Sequence, residues 1–196
     1  FVGFEPQGAY VVAGPPKSGL SSAVRWMAES LQRALPGVPR VLLTPRASEL
    51  SGLPVWTATV TGIPQLKEYL TEKLAPYYTS QSQGTVPNVA IVIDRFGELI
   101  GSEADAALTE AIKQVRRNGH LLIAAGETAG FAPSGFSSLL TELKNGRAGL
   151  LLQPQPNDGD LVKTQLPRVR AADFPRGRGF WVANNEILKV QIPEVE

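Results

Sequence analysis

The stretch from Ala9 to Ser22, Ala-Tyr-Val-Val-Ala-Gly-Pro-Pro-Lys-Ser-Gly-Leu-Ser-Ser, restricts the fold more than any other part of the chain. Its apolar run, Ala9 to Ala13, has the length and composition of a buried strand. After the two glycines, Val24, Met27, Leu31 and Leu35 fall on one helical stripe, which Pro36-Gly37 ends. A strand, a glycine-bounded loop and a helix form the context of G-x-x-x-x-G-K-[ST], whose backbone N–H groups cradle phosphates at a helix start. Gly14 and Gly19 keep that spacing, and Ser21, followed by Ser22, stands where a magnesium-holding hydroxyl belongs. Leu20 stands where the lysine belongs.

Losing that lysine removes the charge that neutralises the β- and γ-phosphates. Pro15 and Pro16 contribute no donors, but Lys17, Ser18, Gly19, Leu20 and Ser21 keep theirs. Anion binding is therefore expected to survive in weakened form, and phosphoryl-transfer catalysis is not. Lys17 is the candidate substitute cation. The plainer reading of Gly14 and Gly19 is a tight strand-to-helix turn.

A second motif is Ile91-Val92-Ile93-Asp94-Arg95-Phe96. Its continuous apolar run predicts a strand covered on both faces, ending in a carboxylate that orders magnesium through water in phosphate-transfer enzymes. Ser21 and Asp94 are thus the candidate magnesium ligands, should nucleotide bind. Relatives that hydrolyse ATP carry a second acid after that aspartate, and here the position is Arg95, which cannot accept a proton. Glu127 and Thr128, after a strand at His120–Ala125, occupy the place of a γ-phosphate-sensing polar residue, with plain loop chemistry as the alternative. Arg147, before a strand at Ala148–Leu152, either faces a neighbouring subunit or is simply solvated. His120 reads as structural, and Trp26, Trp56 and Trp181 as core or interface aromatics. Asp94, Glu127 and Arg147 are the candidate catalytic residues.

Along the chain, further strands are predicted at Val38–Leu43 and Val55–Val60, and helices at Ile63–Tyr78, Glu103–Arg117 and Gly135–Lys144. A polar loop is expected at Thr79–Asn88, and two short antiparallel strands at Phe180–Val182 and Ile187–Ile192. Strands alternating with helices predict a three-layer α/β domain over residues 1–196, its sheet mostly parallel with a small antiparallel C-terminal extension. Phe1 to Gln7 reads as a lead-in edge segment, and the abrupt Phe1-Val2-Gly3-Phe4 start as a cut from a longer chain. With 19 basic and 18 acidic residues the formal charge is +1, which gives no bulk attraction for DNA. The absence of cysteine and the single histidine exclude disulfides and argue against zinc. No apolar run reaches the roughly 18–20 residues that span a bilayer.

The tail adds a series of motifs: Gly149-Leu150-Leu151-Leu152-Gln153-Pro154, Asn157-Asp158-Gly159-Asp160-Leu161, Leu166-Pro167-Arg168, Pro175-Arg176-Gly177-Arg178-Gly179-Phe180 and Val190-Gln191-Ile192-Pro193. Together with Gly14–Gly19 and Gly119–Thr128, it resembles the FtsK/SpoIIIE ATPase family over essentially the whole chain. The nearest pattern within that family is the last ATPase module of EccC-type motors of type VII secretion. The resemblance implies a RecA-like P-loop NTPase fold, in a cytoplasmic module at the end of a membrane-anchored chain with several ATPase modules. It also implies slow or absent ATP hydrolysis, multimerisation into a homo-oligomer, and capture of export signals from small helical-hairpin (WXG100-type) substrates. The family's trans-acting arginine falls near Arg147. Two alternatives stand beside this reading: an active ATPase using Lys17, and a module of an FtsK-type DNA translocase.

Overall fold

The computed structural model describes residues 7–132 and 135–193; all of the lead-in segment except Gln7 lies outside them. The strand bearing the first motif, β1 (Gly8–Gly14), sits inside an eight-stranded sheet. The others are β2 (Arg40–Thr44), β3 (Ala58–Thr61), β4 (Ala90–Ile93), β5 (Leu121–Glu127), β6 (Ala148–Leu152), β7 (Arg178–Ala183) and β8 (Glu186–Gln191). Their order is β3-β2-β4-β5-β1-β6-β7-β8, parallel from β3 to β6 and antiparallel beyond. This is the expected α/β fold with its antiparallel C-terminal extension.

The side-chain alternation of β1 divides the core. Ala9, Val11 and Ala13 point into one apolar cluster, Tyr10 and Val12 into the other. The second cluster is covered by helix α1 (Leu20–Ala34), through Ala23, Val24, Met27 and Leu31. The first is covered by α2 (Ile63–Glu68), α3 (Ala75–Thr79), α4 (Asp105–Asn118) and α5 (Ser138–Lys144). Two helical layers around one sheet give the three-layer architecture. Gly119, at φ 77°, takes the left-handed position that ends α4.

Several boundaries differ from the sequence reading. The helix expected over Ile63–Tyr78 runs through a π-helical segment, Tyr69–Leu74, between α2 and α3. Pro76 follows directly, with no N–H for the ladder, and a ring that clashes with the carbonyl four residues back in a regular α-helix; the wider π turn accommodates it. The Tyr78 hydroxyl donates to the Leu70 carbonyl at 3.0 Å inside this segment. The strand expected at Val55–Val60 begins only at Ala58, because the Val55 carbonyl accepts from buried Arg40 Nε at 2.9 Å. The last helix begins at Ser138 rather than Gly135, where Ser137 caps it by accepting from the Leu140 N–H. No described helix is long and apolar enough to cross a membrane.

Candidate functional site

The loop after β1 closes on itself before α1 begins. The Ser18 N–H donates to the Pro15 carbonyl at 3.1 Å, leaving Pro16 and Lys17 at the corner of the turn. Lys17 has φ 65°, the left-handed value that the third position of a type II turn requires, and its side chain is exposed. One donor expected to face an anion, the Ser18 N–H, is thus spent inside the loop. The loop nevertheless ends on a helix start with open donors. Gly19, at φ 95°, offers no side-chain cap, and the first turn of α1 holds no acidic residue. The N–H groups of Leu20 and Ser21 have no intrahelical acceptor, and the helix dipole there is positive.

Ser18 is fully buried, and its Oγ has no hydrogen-bond partner. The hydroxyl lies over Gly14: a β-carbon there would stand 2.5 Å from Ser18 Oγ and 2.9 Å from Leu152 Cβ. Gly14 is therefore demanded by packing beneath the loop.

A cavity of about 420 Å³ opens above this helix start. Lys17, Gly19, Leu20, Ser21 and Ser22 of the sequence-predicted set line it, as does Glu127. Gly14 and Ser18 are buried and do not line it. Sequence reasoning missed Arg25, Glu49, Leu50, Leu53 and Arg176, which complete the lining with Pro15 and Pro16. Leu20 is partly buried and packs against the apolar cluster shared with α1, so the lysine position has become a hydrophobic contact. The Trp56 indole fixes Leu50 by donating to its carbonyl at 2.7 Å. Arg25 pairs with Glu29 at 2.8 Å. Glu127 ends β5 directly opposite Gly14 in the register.

Asp94 does not line the cavity. It follows β4, one strand beyond β5, so about 10 Å of sheet separates its strand from β1. Its carboxylate is engaged locally. Oδ1 accepts from the Arg95 N–H at 2.9 Å, and Arg95 Nε stands 4.0 Å from Oδ2. Arg95 holds φ 55° to do this, and its NH1 reaches Glu98 at 3.8 Å. Arg46 grips the same Glu98 with its Nε and NH2, and that hydrogen bonding holds the Glu98 carboxyl below its ordinary pKa. The expected magnesium pair thus consists of a Ser21 hydroxyl in the cavity and an aspartate outside its lining, beside a guanidinium.

Arg147 lies just before β6, at the end of the parallel strands opposite the loop that follows β1, exposed and at φ 51°. It lines a separate hollow with Gln7, Tyr10 and Asn184. The structure therefore gathers the loop residues and Glu127 and leaves Arg147 remote from them. Among the described residues no cluster of His, Cys, Asp or Glu could hold a metal.

No family model and no curated protein matches the sequence. Solved structures do. Thermomonospora curvata EccC (ATPases 2 and 3), in complex with a signal sequence peptide, aligns with TM-score 0.74 at 16% identity, covering 100% of this chain and 38% of that one. The cytoplasmic domain of EssC aligns with TM-score 0.72 at 22% identity, covering 100% of this chain and 44% of that one. The genome packaging NTPase B204 from Sulfolobus turreted icosahedral virus 2, in complex with AMPPCP, aligns with TM-score 0.63 at 14% identity, covering 98% of this chain and 100% of that one. The chain spans less than half of the EccC and EssC structures it matches. Its fold is that of the P-loop ATPase modules, in the form that EccC and EssC share.

Proposed function

We propose that this chain is a degenerate, non-hydrolysing ATPase-fold module of a type VII secretion motor, serving substrate recruitment, regulation or assembly. One observation carries the reading: Leu20 lies against the apolar core where a phosphate-gripping lysine belongs. Arg95 in place of the second acid agrees with it, since a guanidinium cannot act as a general base. What remains is a polar cavity at a helix start, suited to holding a nucleotide as a structural ligand. ATP would bind there weakly and with little help from magnesium.

The likeness to EccC and EssC modules supports the secretion setting, on the cytoplasmic side of a membrane-anchored chain with further ATPase modules. The EccC structure holds a signal sequence peptide, which supports a role in receiving export signals, with helical-hairpin substrates of the WXG100 type as the class proposed. Arg147, exposed and outside the loop cavity, is the residue this reading assigns to contact with a neighbouring module or a second copy. Phosphate release at saturating ATP and magnesium tests the central part. The purified protein is expected to release no more phosphate than its Ser21→Ala variant; turnover lost on that substitution would overturn the reading.

A further inference from the structure

The cavity has lost one cation and acquired another. The turn Pro175-Arg176-Gly177 precedes β7, at the far end of the chain, and folds back onto the loop. The Gly177 N–H donates to the Ser18 carbonyl at 2.8 Å. The turn is held from its other side as well. The Ile192 N–H donates to the Gly177 carbonyl at 2.7 Å, the Arg178 N–H to Pro175 at 3.0 Å, and Gln191 Nε2 to the Arg176 carbonyl at 3.1 Å. Gly177 takes φ 76°, so the corner is as defined as the loop beneath it.

This clamp holds Arg176 beside the helix start, against Gly19. A β-carbon on Gly19 would lie 3.7 Å from Arg176 Cγ, so the arginine stem runs over the residue next to Leu20. Arg176 lines the cavity, and its guanidinium has no ion pair or hydrogen bond among the described residues. The other two cations of the lining are less suited. Arg25 is paired with Glu29, and Lys17, exposed like Arg176, sits at a corner closed by a single backbone bond, whereas the Arg176 turn is held by several. Glu127 enters from β5, on one side of β1, and Arg176 from the β7 side, so the two charges flank the loop.

We infer that Arg176 is the phosphate-binding cation of this cavity, a replacement supplied by the C-terminal hairpin for the lysine lost at Leu20. This rests on the nucleotide-pocket reading above and goes beyond it by assigning the residue and ligand group. A planar guanidinium holds two oxygens of one polyphosphate through parallel N–H donors, where an ammonium acts as a point charge. The α1 donors and Arg176 together would select nucleoside di- and triphosphates over monophosphates. The arrangement also ties nucleotide occupancy to the order of the β7–β8 hairpin, because one turn serves both.

The test is binding of a fluorescent ATP analogue and of the matching AMP analogue to the whole chain. Arg176→Ala is expected to weaken the triphosphate about tenfold or more and the monophosphate far less. Arg176→Lys should recover part of the loss, and Leu20→Lys placed in the Arg176→Ala background should recover most of it. Arg168→Ala is the control, an exposed arginine of the C-terminal segment outside the cavity lining; it should leave binding unchanged. Melting curves confirm that each variant is folded. If the natural sequence binds neither analogue, the pocket reading fails and this assignment with it. If it binds the triphosphate and Arg176→Ala binds equally well, the assignment alone is overturned.

Discussion

Gly177 donates its backbone N–H to the carbonyl of Ser18 at 2.8 Å, joining the last hairpin of the chain to its first loop. At φ 76° a side chain on Gly177 is strained, and its β-carbon would meet Gln191 Nε2 at 2.8 Å. Gly177→Ala should therefore cost about 1–2 kcal/mol. Differential scanning calorimetry should show a melting temperature lower by roughly 2–8 °C. Gly37→Ala, where nothing lies within 4 Å of the added atom, should leave it within a degree or so.

Ser18 tests the floor of the loop. Its buried hydroxyl has no partner, a state that costs on the order of 1–3 kcal/mol. Ser18→Ala removes the hydroxyl without opening a sizeable cavity. It should raise the chemical-denaturation midpoint, by an amount corresponding to about 1 kcal/mol. A lowered midpoint would mean that the hydroxyl has a stabilising partner.

Phe96 fixes the segment that carries Asp94 and Arg95. It is fully buried, and its ring stacks on Phe131 with centroids 5.6 Å apart. Phe96→Ala should cost about 3–5 kcal/mol. Phe136, by contrast, is 90% exposed, and Phe136→Ala should stay within about 0.5 kcal/mol of the natural sequence. Urea unfolding of both variants makes the comparison.

His120 gives the stability a pH dependence. It is fully buried, its Nδ1 accepts from the Asn88 N–H at 3.1 Å, and its Nε2 meets the Ser80 carbonyl at 2.6 Å. That arrangement requires the neutral ring, protonated on Nε2. Burial lowers its pKa below the ordinary 6.5, although the hydrogen bond to Ser80 works the other way. The unfolded chain thus binds the proton more readily. The contribution is complete above the unfolded value and is lost as pH falls toward the folded one. Denaturation midpoints should decline from about pH 6.5 downward, and His120→Asn should flatten that decline. An unchanged slope in the variant would assign the dependence elsewhere.

Much of this organisation was legible in the sequence. The run Ala9–Ala13 and the stripe Val24, Met27, Leu31 locate β1 and α1 because a buried strand and an amphipathic helix leave distinct periods. The π-helical turn at Tyr69–Leu74 was not legible, since the apolar stripe through Leu66, Leu70 and Leu74 continues across it. The site divides in the same way. Gly14 to Ser22 is contiguous and spaced, so the loop and helix start were legible as a candidate. Arg176 reaches the cavity only through tertiary folding, from a turn that reads locally as a short basic, glycine-rich loop. The Arg95 substitution was visible, but not its left-handed backbone or its engagement of Asp94.

The central claim is that the phosphate-gripping charge has left the helix start and magnesium has lost its place with it. Titration of ATP into the protein, with magnesium and then with a chelator, compared with a Leu20→Lys variant, tests it most directly. The expected result is weak binding that barely responds to magnesium in the natural sequence, tightened about tenfold or more once the lysine is restored. Tight, magnesium-dependent binding by the natural sequence, unimproved in Leu20→Lys, would contradict it.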